Sequence, residues 1–505
     1  MPADRLPVIV GVGQVNDRPA DPIDGMDPVA LMVEALRRAE ADARACLLSD
    51  ADTLATVRQI SFPDIEDPGK LVAIRIGAAR AEISQTALPS GESPVRLLND
   101  AANRIGSGEI SIALVCGGEA LRTAAARVAA SEGGRKLDPV REARHRVHTG
   151  YAAEHGLVAP VDVYPLYENA LRARLGQTFE EAQRESGEIW ALMSRVAADN
   201  ANAWIRTPVD PHTIVTPSDN NRPIAFPYTK LQVANSSVNQ GAALIVASVA
   251  EARRRGIPEE KWVYVGNGAA ANEPADILSR DRFDRSVSME VSILKTLELN
   301  DVAVDDLAAV ELYSCFPCIP KLARRIIGWP VERPVTVFGG LTFGGGPVGN
   351  YMSHAMASMV EVLRARSGTA LLFGNGGIAT YNHSIVLSSQ PIAAAIFPRA
   401  YDFQADAEFV REPAPGIDPE YIGAARIETW TVHYRRDGTP DLGTVVARTP
   451  EGKRTLARLT DAEASRFIET SRPYSDPVGM PARIGVEHGV RTWNFAPAGS
   501  LETSQ

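Results

Sequence analysis

One short segment brings together residue types that could carry out chemistry. Val310–Trp329 reads VELYSCFPCIPKLARRIIGW, in which a strand-like start leads to Cys315 and the two prolines after it favour the first turn of a helix. The unpaired N–H groups at a helix N-terminus lower the pKa of a nearby thiol. Cys315 is therefore a candidate nucleophile or proton donor and acceptor, and a buried, inert thiol is the alternative.

Cys315 and Cys318 also form a CxxC pair, which at a helix start is typical of thioredoxin-like redox proteins. The chain is far longer than that fold, its elements follow another order, and Pro317 precedes the second cysteine. A redox role is the lesser alternative.

Two glycine-rich segments lie downstream of Cys315. Phe338–Asn350 reads FGGLTFGGGPVGN and precedes His354 on a predicted helix, and Phe373–Ser384 reads FGNGGIATYNHS and contains His383. Glycines let backbone N–H groups approach a ligand closely, as an oxyanion hole requires, although they also serve as simple turns. Strand ends of a parallel sheet would converge on Cys315, so His354 and His383 are candidate bases.

Other motifs are weak. The chain has no GxxxxGK[ST] phosphate loop, and no CxxC pair in its last hundred residues, which excludes a zinc ribbon there; we expect no metal site. Three further histidines lie in a polar segment and are expected to be solvated: His145, His148 and His155.

The elements around these segments are those of an α/β protein. Four short apolar runs, each followed by glycines, read as buried strands: Leu6–Val12, Ile112–Val115, Lys261–Val265 and Thr369–Phe373. They predict a mostly parallel sheet covered by helices on both sides. The two strands of each half start roughly a hundred residues apart, which predicts an internal duplication.

Composition limits the class of protein. The 505 residues are 45% apolar and 23% charged, which allows several large cores. The net charge of −10, without a basic tract, disfavours nucleic-acid binding. We find neither a signal-peptide pattern nor an apolar run of about 18 residues that could span a membrane. Four cysteines do not make a disulfide framework, so a cytoplasmic location is expected.

Two regions differ from this α/β pattern. Residues 121–235 are richer in Arg, His, Tyr and Pro and read as an inserted loop domain, from which VNQGAALIVASV returns to the core. After Pro391, short alternating strands with glycine turns, such as ARIETWTVHY and GTVVAR, predict a small barrel or sandwich at about 405–505.

The whole pattern resembles the thiolase superfamily. Four segments carry this resemblance. ALVCGGEALRT is similar to the segment after the thiolase nucleophile, and VANSSVNQGAALIVAS is similar to the return strand. GGLTFGGGPVG is similar to the GHP turn, and LLFGNGG to the CxG turn. A closer resemblance is to the acetyl-CoA acetyltransferase-like, thiolase-like proteins of type 1, which carry an additional C-terminal domain. It rests on VYPLYENALR, NRPIAFPYTKL, ELYSCFP and GGPVGNYMSHA.

This resemblance implies a fold and its domains. The expected fold is a duplicated thiolase fold with two βαβαβαββ halves in five layers, αβαβα. Residues 1–120 with 236–255 form the first half, 256–395 form the second, 121–235 form the loop domain, and 405–505 form a β-rich, OB-like domain.

The resemblance also implies that the usual thiolase chemistry has changed. The family's nucleophilic cysteine falls at Gly91, the histidine of GHP at Gly346 and the cysteine of CxG at Gly374. Ser93 lies close to the first of these positions, where it is first of all a helix N-cap.

Part of the acid/base machinery is retained in this alignment. Cys315 matches the acid/base cysteine of sterol-carrier-type thiolases, whose HDCF motif is YSCF here. Tyr313 takes the position of the polar residue that holds an oxyanion-hole water, and Gly376 keeps the oxyanion-hole glycine, with Gly91 beside it. The expected substrate contacts are Ser93, Gly346, Asn350 and Asn375.

Two functions remain open at this point. The first is an acyl-CoA-dependent acyltransferase, or an enzyme that forms or cleaves a carbon–carbon bond, with CoA or acyl-CoA as substrate and no tightly bound cofactor. The second is a non-catalytic acyl-CoA-binding protein or a scaffold for a partner enzyme. The resemblance allows a monomer or a homodimer.

Overall fold

The computed structural model describes residues 2–131, 150–471 and 476–494. The first part of the core contains β1 (Pro7–Asn16), α1 (Pro28–Ala43), β2 (Thr53–Thr56), α2 (Pro68–Ile76), β3 (Glu82–Gln85), α3 (Ser93–Ser107) and β4 (Ile112–Ala120). The insertion contains α4 (Leu121–Ser131), α5 (Tyr151–Glu154), α6 (Pro160–Leu175), α7 (Phe179–Asp199), α8 (Pro211–Val215), β5 (Pro223–Ala225) and β6 (Tyr228–Thr229).

The chain then completes the core and forms a last domain. The core elements are β7 (Asn239–Ser248), α9 (Val249–Arg254), β8 (Val263–Asn272), α10 (Val287–Asn300), β9 (Leu307–Glu311), α11 (Cys318–Ile326), α12 (Tyr351–Ala365), β10 (Thr369–Gly376) and β11 (Tyr381–Ser388). After these come α13 (Gln404–Val410), β12 (Gly423–Tyr434), β13 (Pro440–Arg448), β14 (Arg454–Leu459), α14 (Asp461–Ser471), β15 (Pro481–Glu487) and β16 (Val490–Asn494).

A nine-stranded sheet shows the predicted duplication. Its order is β3-β2-β4-β7-β1-β8-β11-β10-β9, with β1 and β8 antiparallel where the halves meet. Outward from β1, the first half continues with β7, β4 and β2. Outward from β8, the second half continues in the matching order with β11, β10 and β9. The predicted mostly parallel sheet is wrong, because the last strand of each half returns antiparallel beside the first.

The helices divide this sheet into five layers, as expected. Helices α3 and α12 lie in the middle and contact strands of both halves, including β1 and β8. Helix α1 covers the outer face of the first half, and α10 covers that of the second. The strands are apolar on both faces because helices cover both.

The glycines of β1 do not end the strand, contrary to the sequence prediction. Gly11 and Gly13 lie within β1, where a Cβ would overlap the backbone carbonyl oxygens of Ala39 and Ala35 in α1. Close packing of strand and helix therefore requires these glycines, rather than a turn.

The predicted OB-like domain is a closed five-stranded barrel. Strand neighbours run β12-β13-β14-β16-β15 and back to β12, with β14 and β16 parallel and α14 between β14 and β15, which is the OB topology. The hairpin β5–β6 of the insertion extends the barrel sheet, since Ala225 pairs with His433.

The barrel also packs on α6 of the insertion. Thr429 Oγ1 donates to the Leu166 carbonyl at 2.6 Å, and Asn169 Nδ2 donates to the Trp430 carbonyl at 3.0 Å. Arg172 Nη1 donates to the Ser471 carbonyl. These bonds fix α6 between the barrel and the core. Within the described ranges, no helix combines the length and the apolar character needed to cross a membrane.

Candidate functional site

Cys315 lies in the loop between β9 and α11. The helix begins at Cys318, so Cys315 precedes it by three residues, slightly further from the helix than the sequence indicated. Both cysteines are free thiols, but Cys315 is partly exposed and Cys318 is buried. Burial raises the pKa of Cys318 well above its usual value. Of this pair, only Cys315 is placed to meet a ligand.

The phenol of Tyr164 contacts the Cys315 thiol. Tyr164 lies on α6, fully buried, and its hydroxyl is hydrogen-bonded to Cys315. The same hydroxyl accepts the Ala379 N–H at 3.0 Å and donates to Asn375 Oδ1 at 3.1 Å. Burial, and next the charge of a Cys315 thiolate, raise the pKa of Tyr164. Three partners therefore fix this hydroxyl, and with it the position of the sulfur.

Tyr164 is a site residue that the sequence analysis missed. The only signal for it was its place in VYPLYENALR, immediately before a proline in the middle of a helix. A pattern of this kind identifies relatives but does not show which tyrosine reaches the site.

Tyr313 fills the space beside Gly91. A Cβ at position 91 would overlap both the Tyr313 hydroxyl oxygen and the Asn375 carbonyl oxygen. Tyr313 itself has φ of 53°, a left-handed conformation that is costly for a tyrosine, and its ring packs edge-on against Tyr351 at 5.6 Å between centroids. Position 91 therefore has no room for a nucleophilic side chain, and a tyrosine hydroxyl lies there instead.

A buried carboxyl lies next to Gly376, the predicted oxyanion-hole glycine. A Cβ on Gly376 would overlap Ser90 Oγ and Glu92 Oε2, and would lie 3.0 Å from the Gly91 nitrogen. Ser90 donates a hydrogen bond to Glu92, and burial raises the pKa of this carboxyl, which favours its neutral form. The structure thus brings Gly91 and Gly376 together, with an acid that the sequence analysis did not single out.

Two of the predicted substrate contacts are engaged with the protein. Ser93 is the first residue of α3, not its N-cap, which is Glu92, and the Ser93 hydroxyl faces the Leu88 carbonyl at 3.5 Å. The backbone N–H of Gly346 donates to the Asn235 carbonyl at 2.8 Å. Substrate contact by either residue stays a prediction.

The two asparagines that were predicted to contact substrate differ in their hydrogen bonding. Asn375 uses both ends of its amide, because Nδ2 donates to Asn382 Oδ1 at 2.8 Å while Oδ1 accepts from Tyr164. Asn350 is equally buried, but neither its Oδ1 nor its Nδ2 has a hydrogen-bond partner among the described residues. Asn375 therefore positions Tyr164, and Asn350 retains an unused amide beside Gly117.

The imidazoles of the two candidate bases are engaged with amide side chains. His354 Nδ1 is hydrogen-bonded to Gln14 Oε1 at 2.9 Å, and His383 Nε2 faces Asn99 Oδ1 at 3.4 Å. Both rings are buried, and burial lowers the pKa of each to about 3. The expected convergence with Cys315 assumed parallel strand ends, whereas His383 lies within the antiparallel strand β11 and His354 within the central helix α12. Both imidazoles are neutral at physiological pH.

The histidines of the polar segment also differ from expectation. His155 is buried, and its Nδ1 bonds to the Tyr151 carbonyl at 2.9 Å, so the prediction that it is solvated is wrong. His145 and His148 lie outside the described residues.

A second buried carboxyl supports the Cys315 loop. Glu311, at the end of β9, accepts the Tyr351 hydroxyl at 2.9 Å and the Thr336 hydroxyl at 2.7 Å. Burial raises the pKa of Glu311 to about 7. Because Tyr351 packs against Tyr313, this cluster holds the tyrosine that fills the space beside Gly91.

Known proteins share this architecture. A solved structure described as a monomeric SCP2-thiolase like protein type 1 from Mycobacterium smegmatis is 31% identical, with a TM-score of 0.82 over 98% of this chain and 100% of that chain. Residues 405–478 match the family model of the thiolase-like protein type 1 additional C-terminal domain. No curated protein matches the chain.

More distant structures share the fold of the core. Human mitochondrial 3-ketoacyl-CoA thiolase is 14% identical, with a TM-score of 0.59 over 77% of this chain and 100% of that chain. The Ltp2-ChsH2(DUF35) aldolase is 18% identical, with a TM-score of 0.58 over 76% of this chain and 97% of that chain. The full-length similarity, the five-layered duplicated core and the added barrel lead to one conclusion: the chain belongs to the SCP2-thiolase-like proteins of type 1, within the thiolase superfamily.

Proposed function

We propose that the protein binds an acyl-CoA thioester beside Cys315 and forms or cleaves a carbon–carbon bond by proton transfer, without an acyl-enzyme at the usual thiolase position. One observation carries this proposal. The Tyr313 hydroxyl occupies the space that a nucleophile at Gly91 would need, while the Cys315 thiol is partly exposed and oriented by Tyr164.

The chemistry needs only one mobile proton. In the bond-forming direction, the Cys315 thiolate removes a proton from the α-carbon of the thioester, and the resulting carbanion attacks a carbonyl carbon. The new alkoxide then takes the proton back from the Cys315 S–H, which restores the thiolate. Cleavage is the reverse sequence. In this scheme the Tyr313 hydroxyl and the backbone near Gly376 stabilise the enolate oxygen.

Distant relatives are consistent with this choice of substrate and reaction. One structure of the human 3-ketoacyl-CoA thiolase is a complex with CoA, and the Ltp2-ChsH2(DUF35) protein is described as an aldolase. We extend both features to this chain as a proposal, together with the monomeric state of the Mycobacterium smegmatis protein. The cytoplasmic location stays a prediction from cysteine usage.

A second candidate function is a non-catalytic acyl-CoA-binding protein or scaffold. The observation in its favour is that both candidate imidazole bases are buried, neutral and bonded to amide side chains. Neither of them helps to ionise Cys315, so binding without turnover is a coherent alternative.

Calorimetric titration with CoA and a 3-hydroxyacyl-CoA, the class of substrate that the proposed cleavage requires, combined with mass spectrometry of the protein after incubation, separates these functions. The proposal predicts binding, no acyl adduct, and turnover that is lost in Cys315→Ala. The variant Cys46→Ala, which removes an exposed thiol elsewhere, is the matched control and should be unchanged. A stable acyl adduct on Cys315 would contradict the proton-transfer role, and binding without any turnover would support the scaffold.

A further inference from the structure

Two arginines lie over one tryptophan at the junction of the core and the insertion. The guanidinium carbon of Arg18, which follows β1, is 4.1 Å from the ring centroid of Trp204, and that of Arg122, in the first turn of α4, is 5.7 Å away. Trp204 is 95% buried, so its ring is a fixed platform. Cation–π contact thus holds two positive charges close together.

This pair of charges lacks an acidic partner in the part of the chain that the structure describes. No ion pair within 4.0 Å involves Arg18 or Arg122 there, and the adjacent Asp17 carboxylate accepts the Met26 N–H instead. Burial, and next the charge of Arg122, lower the pKa of Arg18. The N-terminal end of α4 adds positive potential at Arg122. In a chain of net charge −10, two unneutralised arginines on one platform indicate an anion-binding site.

A short stretch of chain connects this pair to Cys315. The Ala234 N–H donates to the Cys315 carbonyl at 3.1 Å, and the Arg122 N–H donates to the Val238 carbonyl at 3.3 Å. The four residue-to-residue steps from Ala234 to Val238 span at most about 14 Å. The arginine pair and the Cys315 loop are therefore joined through one short segment, and a ligand with its sulfur at Cys315 needs an extended arm to bring an anionic end to the arginines.

We infer that Arg18 and Arg122, held on Trp204, bind the phosphate groups of CoA. Coenzyme A has its thiol and its phosphates at opposite ends of an extended pantetheine arm, and guanidinium groups bind phosphate oxygens in a bidentate manner. This inference rests on the proposed function, because it takes the thioester sulfur to lie at Cys315.

The test compares ligands with and without phosphates. Dissociation constants of CoA, pantetheine and pyrophosphate are measured by calorimetry for the wild type, Arg18→Gln and Arg122→Gln. Arg436→Gln, which removes an exposed arginine from the turn between β12 and β13, is the matched control. Each site variant should bind CoA about tenfold more weakly and lose measurable pyrophosphate binding. Pantetheine binding and the control should be unchanged.

The outcomes separate this inference from the proposed function. If the wild type binds CoA and both site variants bind it equally well, the phosphates bind elsewhere and only the inference is wrong. Equal weakening of CoA and pantetheine would also contradict it, because that result indicates a general structural effect. If the wild type binds no CoA at all, the proposed function fails, and this inference fails with it.

Discussion

At the scale of single residues, the site consists of phenols and carboxyls whose hydrogen bonds are almost fully used. Tyr164 joins the Cys315 thiol to Asn375 and Ala379, and Tyr313 takes the volume beside Gly91. Burial rather than a neighbouring base sets the protonation of these groups. The chemistry of this loop therefore depends on where the Tyr164 and Tyr313 hydroxyl groups are held.

Replacing Tyr164 by phenylalanine tests the role of its hydroxyl. Tyr164→Phe leaves Asn375 Oδ1 and the Ala379 N–H without their partner, so we expect the free energy of unfolding to fall by about 1–3 kcal/mol. Urea denaturation measures this loss. Tyr401→Phe, which removes a phenol bonded to Asp100, is a control expected to cost less because Tyr401 is only half-buried. An unchanged denaturation midpoint in Tyr164→Phe would disprove the role of this hydroxyl.

Adding a methyl group at Gly91 tests whether that space is filled. Gly91→Ala places a Cβ against the Tyr313 hydroxyl and the Asn375 backbone. We expect a loss of stability of about 1–3 kcal/mol, since the backbone oxygen cannot move away freely. Gly416→Ala, where the nearest atom is 3.8 Å from the added Cβ, should stay within about 0.5 kcal/mol. Equal stability of the two variants in thermal unfolding would show that the space is empty.

The carboxyl of Glu311 predicts a specific pH dependence. Its pKa rises from 4.5 to about 7 in the folded protein, so its contribution to stability is complete below pH 4.5 and is lost as the pH rises through about 7. Glu311→Gln stays neutral. From pH 5 to pH 8, the variant should therefore gain about 2–3 kcal/mol of stability relative to the wild type. Urea titrations at both pH values measure this change, and a pH-independent difference would contradict it.

At the scale of elements, α6 connects the barrel to the site. It carries Tyr164 on one side and bonds to β12 and α14 through Leu166, Asn169 and Arg172. The OB-like domain therefore acts on the Cys315 loop by fixing a helix of the insertion. This is a supporting role.

A buried ion pair makes this contact testable. Arg172 is 3% exposed and pairs with Asp476, so Arg172→Met leaves a buried carboxylate alone and should cost about 3–5 kcal/mol. The double variant Arg172→Met/Asp476→Asn should recover part of this loss. Arg174→Met, on the same helix but half exposed, is the control and should cost little. If the loss of unfolding free energy in the double variant equals the sum of the losses in Arg172→Met and Asp476→Asn, the ion pair does not couple the barrel to α6.

At the scale of the whole molecule, the sequence predicted the architecture better than the site. Apolar runs at matched spacing were sufficient to predict the duplicated core. Alternating polar and apolar residues, as in ARIETWTVHY, were sufficient to predict the barrel. Strand direction was predicted wrongly, because a run that is apolar on both faces looks the same in parallel and antiparallel sheets. The glycines of β1 were interpreted as a turn because the crossing of α1 is a tertiary contact.

The site was only partly predictable, for a related reason. Cys315 follows from its motif, and Tyr313, Gly91 and Gly376 follow from the family resemblance. The ability of His354 to act as a base depends on its burial on the central helix α12. Local sequence does not encode that burial. Tyr164 comes from an inserted helix whose docking depends on the barrel, so no spacing within the core could have placed it near the thiol.

Hydrogen exchange at the α-carbon of acetyl-CoA in D2O, followed by mass spectrometry, tests the proton-transfer role of Cys315 most directly. The wild type should introduce deuterium at that carbon faster than buffer does, Cys46→Ala should match it, and Cys315→Ala should be reduced to the buffer rate. Exchange that is undiminished in Cys315→Ala, or absent from wild-type protein that demonstrably binds acetyl-CoA, would contradict this account.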